Sequence, residues 1–147
     1  PSPHDQTAYG MKRTALTAKS IRDLVAAAIA ARKNAYAPYS DFHVGAAVLA
    51  GSGRIHTGCN VENASYGATL CAERVAIAKA VSEGERTMRA IAIVALDDAF
   101  VPPCGICRQV MSEFATDAVV ILCDTKGRWK KTTLKKLLPE TFEFRQT

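Results

Sequence analysis

The sequence predicts an α/β fold, a three-layer α/β/α sandwich with a mixed five-stranded sheet. Three observations carry the prediction. Two short runs, Ala90 to Leu96 and Ala118 to Cys123, are continuously apolar, as strands covered on both faces are. Two strand–helix–strand passages follow one another, and such passages need crossovers that make part of the sheet parallel. A Gly51-Ser52-Gly53 turn joins two further strand-like stretches into a hairpin, which adds antiparallel pairing. The 147 residues suit one domain with a sizeable core, and 48% hydrophobic with 22% charged residues is an ordinary globular balance.

Residues 1–14 are polar without hydrophobic period and read as a flexible N-terminal arm, leaving 15–147 as a single domain. Ile21, Leu24, Val25, Ala28 and Ile29 then fall at helical spacing. Thr17 or Ser20 can cap that helix, Ser20 with Asp23 resembles a capping box, and the helix must stop before Pro38. His43 to Ala50 and Arg54 to Val61 are the hairpin strands, followed by a polar loop from Glu62 to Gly67. Cys71 to Glu83 is helical, stopped by Gly84, and apolar almost all round, which predicts a buried helix. After the strand at 90–96, a loop with Pro102-Pro103 leads into a helix from Cys104 to Phe114, with Val110, Met111 and Phe114 on its apolar side. The strand at 118–123, a turn at Asp124-Thr125-Lys126-Gly127, an exposed strand from Arg128 to Thr133 and a short helix from Leu134 to Leu138 complete the order.

The bulk properties narrow the function. No apolar run reaches the roughly 20 residues that span a membrane, and the start shows no secretory signal. The net charge of +5 is modest, and the basic cluster Arg128, Lys130, Lys131, Lys135, Lys136 reads as a solvated face before a polyanion site. Five cysteines, three with metal-ligand spacing, point to a reducing compartment and thiolate chemistry, hence a cytoplasmic location.

That chemistry centres on Cys71-Ala72-Glu73-Arg74 and Pro103-Cys104-Gly105-Ile106-Cys107. Three thiolates suit zinc and leave one coordination position open. Both clusters lie where a strand hands over to a helix, so the sheet can bring them together. Glu73 shares a helix side with Ala76, Ile77 and Ala80, so burial should raise its pKa and a functional reason is expected. Three thiolates leave zinc a net charge of about −1, which the N-terminal ends of the two helices and Arg74, beside the sulfurs, would offset. The competing possibility is a closed structural site, with Cys59 or Cys123 as fourth ligand; both fit better as buried small side chains. His43 and His56, isolated on strand-like stretches, read as structural.

These two motifs resemble the zinc site of cytidine deaminases. Three further stretches resemble the small, homotetrameric branch of that family: Tyr39 to Ala47, Gly58-Cys59-Asn60-Val61-Glu62-Asn63-Ala64-Ser65-Tyr66, and Leu137 to Phe142. The resemblance spans residues 17–142. It implies one zinc per subunit on Cys71, Cys104 and Cys107. It makes Glu73 the proton shuttle, from the attacking water to ring nitrogen N3 and then to the departing ammonia. It places Asn60 and Glu62 on the ribose, Phe42 at the base, Ala72 among the substrate-binding residues, and Tyr66 and Phe142 at a base bound by a neighbouring subunit. The residues alone would put Phe42 and Phe142 in the core. The implied reaction is deamination of cytidine and deoxycytidine in pyrimidine salvage, on a small nucleoside with no membrane or nucleic-acid partner. The nearest alternative is a deaminase of another aminopyrimidine nucleoside such as blasticidin S. A zinc-stabilised nucleic-acid-binding or editing module, suggested by the positive charge and Trp129, lacks the interleaving of basic and aromatic residues that stacking surfaces need.

Overall fold

A computed structural model describes residues 16–144; the arm assigned to residues 1–14 lies outside the described residues. Five strands form one sheet in the order β2-β1-β3-β4-β5: β1 (Gly45–Ala50), β2 (Ile55–Cys59), β3 (Met88–Val94), β4 (Val119–Cys123) and β5 (Trp129–Thr133). β1 runs antiparallel to both β2 and β3, β3 and β4 are parallel, and β5 is antiparallel to β4. The sheet is mixed, as the crossover argument requires.

Period-two alternation along the central strands builds two cores. Ala46, Val48, Ala50, Ile91, Ile93, Val120 and Leu122 face one side; Ala47, Leu49, Ala90, Ala92, Val94, Ile121 and Cys123 face the other. On the second side sits α1 (Ala18–Arg32), which buries Ile21, Leu24, Val25 and Ala28. Each of its larger aliphatic side chains contributes about 1.5–3 kcal/mol through burial. On the first side lie α2 (Ala72–Ser82), α3 (Gly105–Phe114) and the one-turn α4 (Leu134–Leu137), through Ala76, Ile77, Met111 and Leu134 among others.

Thr17 is the cap of α1, accepting from Ser20 N at 3.0 Å. Asp23 does not complete a capping box; it pairs with Lys19 Nζ one turn back, at 2.6 Å. α2 also departs from expectation. Its sheet-facing side is buried, but Ala78 is exposed and Val75 and Val81 are only half-buried, because the sheet covers one side of a helix that is apolar on both. That outer side, with Leu70, Val110 and Phe114, lines an apolar groove of about 800 Å³ between α2 and α3. β5 is the exposed edge strand that its composition suggests, although Trp129 is 40% exposed beneath Lys131 and is thus one aromatic ring within the basic face. Among the described residues no helix is long and apolar enough to cross a membrane.

Two glycines set how closely the helices seat on the hairpin. A Cβ at Gly45 would lie 2.1 Å from Ala28 O and 2.6 Å from Arg32 N of α1, and one at Gly58 would lie 2.5 Å from Ala72 O and Ala76 N of α2. Both contacts are with helix backbone, which cannot step aside. Gly45→Ala is therefore expected to destabilise by about 1–3 kcal/mol through overpacking. Urea unfolding measures this; an unchanged midpoint would show that α1 can retreat from β1 freely.

Candidate active site

The site is assembled at the N-terminal ends of α2 and α3. Cys71 is the N-cap residue of α2 and Cys104 that of α3, both in extended conformation, while Cys107 lies in the first turn of α3 and is fully buried. The Sγ atoms of Cys71 and Cys104 are 3.9 Å apart, those of Cys104 and Cys107 3.4 Å, and all three lie within 4.8 Å of one another. Tetrahedral zinc with sulfurs at about 2.3 Å spaces them about 3.8 Å apart, so this donor set fits zinc in size and in softness.

Neither remaining cysteine joins the group. Cys123 donates its thiol to Ile93 O in the α1-side core, on the opposite face of the sheet, and burial pushes its pKa up to about 12. Cys59, at the end of β2, is likewise outside the cluster. The two histidines among the described residues are also engaged elsewhere: His43 with Asp41 at 3.0 Å, and buried His56 with Glu83 at 3.1 Å. Among the described residues the candidate metal group has three ligands, as an open site requires.

Electrostatics around the sulfurs follow from burial and one cation. The Cys71 thiol is held well below its usual range, chiefly by a hydrogen bond from the Cys107 thiol and also by Arg74. Arg74 Nη2 lies 3.7 Å from Cys71 Sγ and donates to Thr69 O at 3.1 Å. The N-termini of α2 and α3 add partial positive charge where sulfur anions form. Glu73, in the first turn of α2, is only 4% exposed, and burial pushes its carboxyl above the usual range. It is buried on one side of α2 with Ala76, Ile77 and Ala80, as expected.

The segment after β2 builds the neighbouring cavity. Asn60 to Glu62 runs between Tyr36 and Leu70, with Tyr36 N donating to Asn60 O, Glu62 N to Tyr36 O, and Val61 and Leu70 exchanging both backbone bonds. Asn60 is buried; its Nδ2 donates to Phe42 O at 2.7 Å and its Oδ1 accepts from Val44 N at 2.8 Å. Glu62 accepts from Tyr39 N, Ser40 N and Ser40 Oγ, and the Ser40 hydroxyl above all holds its carboxyl below the usual range. Tyr39, Ser40, Glu62, Asn63, Tyr66 and Thr69 line a cavity of about 330 Å³. Thr69 links it to the sulfurs, since its carbonyl holds Arg74.

The aromatic residues correct the composition-based reading. Phe42 is 40% exposed and Phe142 72%, so neither is a core residue of this chain; Tyr66 is exposed too. Asn60 holds the backbone at Phe42 O and Val44 N, just after Phe42, and Gln109 Nε2 donates to Phe142 O beyond the last helix. Ala72 is fully buried, its side chain in the core on the α2 side of the sheet. Sequence reasoning missed Ser40 and Thr69. The available signal for Ser40 was a serine two residues before Phe42, whose N–H its hydroxyl accepts at 3.0 Å in a side-chain turn.

Comparison with known proteins agrees with this geometry. Residues 18–123 match the family model described as the cytidine and deoxycytidylate deaminase zinc-binding region. The chain is 50% identical over 123 residues to a cytidine deaminase of Sporosarcina psychrophila, covering 83% of this chain and 90% of that one. A crystal structure of cytidine deaminase from Burkholderia pseudomallei superposes with a TM-score of 0.79 at 45% identity, covering 86% of this chain and all of that one. A blasticidin-S deaminase of Bacillus cereus is more distant, 35% identical over 105 residues, covering 66% of this chain and 74% of that one. With a three-sulfur site, a buried glutamate beside it and the family model matched across both, the chain belongs to the zinc-dependent cytidine and deoxycytidylate deaminase family.

Proposed function

We propose that this protein catalyses hydrolytic deamination of cytidine and deoxycytidine to uridine and deoxyuridine, as a step of pyrimidine salvage. The observation that carries the reading is a buried glutamate, Glu73, one helical residue removed from a three-thiol group that fits zinc. Zinc held by Cys71, Cys104 and Cys107 would supply Lewis acidity that makes water nucleophilic near neutral pH. Glu73 takes a proton from that water and passes it to N3 as the C4 carbon is attacked. The same carboxyl then takes the proton of the new C4 hydroxyl and delivers it to the amino group, and the C4–N bond breaks to release ammonia as the C4 carbonyl forms. A carboxyl whose burial favours the protonated form is suited to both halves of that transfer. Arg74 neutralises part of the charge on Cys71 and fixes its sulfur. Glu62 and Asn60 border the sugar, Asn60 chiefly by holding the Phe42 segment in place. Five free cysteines suit a reducing compartment, which supports a cytoplasmic site of action.

A homotetramer completes this reading. The outer side of α2 is apolar, and the groove it lines also includes Leu70 and Arg74, which border the sulfur group. A second copy of this chain is the occupant that would bury this side and bring an exposed Phe142 or Tyr66 to a neighbouring base.

Ultraviolet absorbance of cytidine with the zinc-loaded protein tests the reaction, with cytosine and blasticidin S as comparison substrates. The parent protein should form uridine, and Glu73→Gln should lose about 10²–10⁴-fold in rate while keeping its zinc. Equal conversion by both proteins would remove Glu73 from the proton transfer, and preference for blasticidin S would reassign the substrate. Arg74→Ala should fold normally and hold zinc about 10–100-fold more weakly, read by competition with a chelating dye; unchanged affinity and rate would refute its charge-balancing role. In analytical ultracentrifugation the parent should sediment at four times the chain mass, and Val81→Asp should dissociate it. A monomeric, fully active parent would overturn the tetramer.

A further inference from the structure

We infer that Ser40 is a positioning residue for sugar recognition: its hydroxyl orients Glu62 and leaves that carboxylate one acceptor site for a ribose hydroxyl. The inference rests on the proposed role of Glu62 at the sugar and extends it to a residue outside the metal centre.

Donors and lone pairs around Glu62 leave one acceptor site open. Phe42 N–H can only donate, and it does so to Ser40 Oγ at 3.0 Å. The single proton of that hydroxyl is then available to Glu62 Oε2, 2.5 Å away. On the other oxygen, Oε1 accepts from Tyr39 N at 3.0 Å and from Ser40 N at 3.1 Å. An ionised carboxylate has about four lone-pair sites. Two on Oε1 and one on Oε2 are occupied, so one on Oε2 remains. Ser40 and Glu62 line the same cavity, and a sugar hydroxyl entering it can donate to that site.

The backbone around Ser40 is held so that this count does not drift. Asp41 adopts φ 54°, in the left-handed region that a non-glycine residue occupies only under constraint, and its N–H donates to Ala37 O at 3.0 Å. Asn60 grips Phe42 O and Val44 N on the far side. Losing the Ser40 hydroxyl would free Oε2 to take up other orientations and release Phe42 N–H to water. The backbone bonds from Tyr39 and Ser40 would stay.

Steady-state kinetics of Ser40→Ala, Ser40→Thr and Glu62→Gln with cytidine and 2′,3′-dideoxycytidine test this on the full, zinc-loaded chain. The unfolding midpoint and zinc content serve as controls for the fold. For Ser40→Ala the KM for cytidine should rise about tenfold, the value of one charge-assisted hydrogen bond, with kcat within about twofold. The KM for dideoxycytidine, which lacks both secondary hydroxyls, should stay within about twofold of the parent's. Ser40→Thr, which restores the hydroxyl, should recover cytidine binding, and the losses of Ser40→Ala and Glu62→Gln should be far from additive when combined. If Glu62→Gln discriminates between the two substrates and Ser40→Ala does not, the inference falls while the sugar role of Glu62 stands. If Glu62→Gln weakens both substrates equally, the sugar role fails and the inference with it.

Discussion

Concentrated negative charge, part of it out of water, is the constraint around which this molecule is built. Three sulfurs within 4.8 Å and a glutamate 4% exposed would repel one another if nothing offset them, and the two buried members, Cys107 and Glu73, would also carry a desolvation cost. A divalent cation is the largest offset the donor set can accept. The fold supplies the others: two helix N-termini aimed at the cysteines, and the Arg74 guanidinium 3.7 Å from Cys71. Crossover connections from β2 to α2 and from β3 to α3 bring both N-termini to one end of the sheet. The strands therefore act as a frame for that convergence, and the alternation of their apolar residues is what allows helices on both faces.

Close seating of those helices depends on residues with no functional group. Gly45 lets α1 rest its backbone on β1, and Gly58 does the same for α2 on β2. The second contact bears directly on the site, because the backbone it admits is that of Ala72, between the first sulfur and Glu73. A shift of α2 by the width of a methyl group would move both. The position of Glu73 is thus set by hairpin packing as much as by its own helix.

A second theme is that the polar residues beside the cavity are organised before any ligand arrives. Asn60 engages both ends of its amide with the backbone of Phe42 and Val44, and Glu62 accepts three bonds from residues 39 and 40. Such preorganisation lowers the ordering cost of binding. It also keeps an aromatic ring at the surface, where hydrophobicity alone would not leave it.

Much of this was legible in one dimension. The spacing of Cys71, Glu73, Cys104 and Cys107 identifies the metal chemistry, because ligand type and helix geometry are local properties. The apolar runs at 90–96 and 118–123 identify buried strands for the same reason. Periodicity also suggested that α2 is covered all round, and in this chain it is not, since how many sides of a helix are covered depends on what packs against it. Phe42 and Phe142 follow the same logic: an aromatic residue is core or surface according to which backbone groups anchor it, here Asn60 and Gln109 from elsewhere in the chain. The turn from Ser40 to Glu62 joins residues 22 apart in sequence, and no local pattern announces it. Local chemistry and periodicity therefore specify the candidate ligands, the carboxylate beside them and the layers. Exposure, the grip on the 39–44 segment and the open side of α2 arise from contacts between distant segments, which come into being only when the chain is packed.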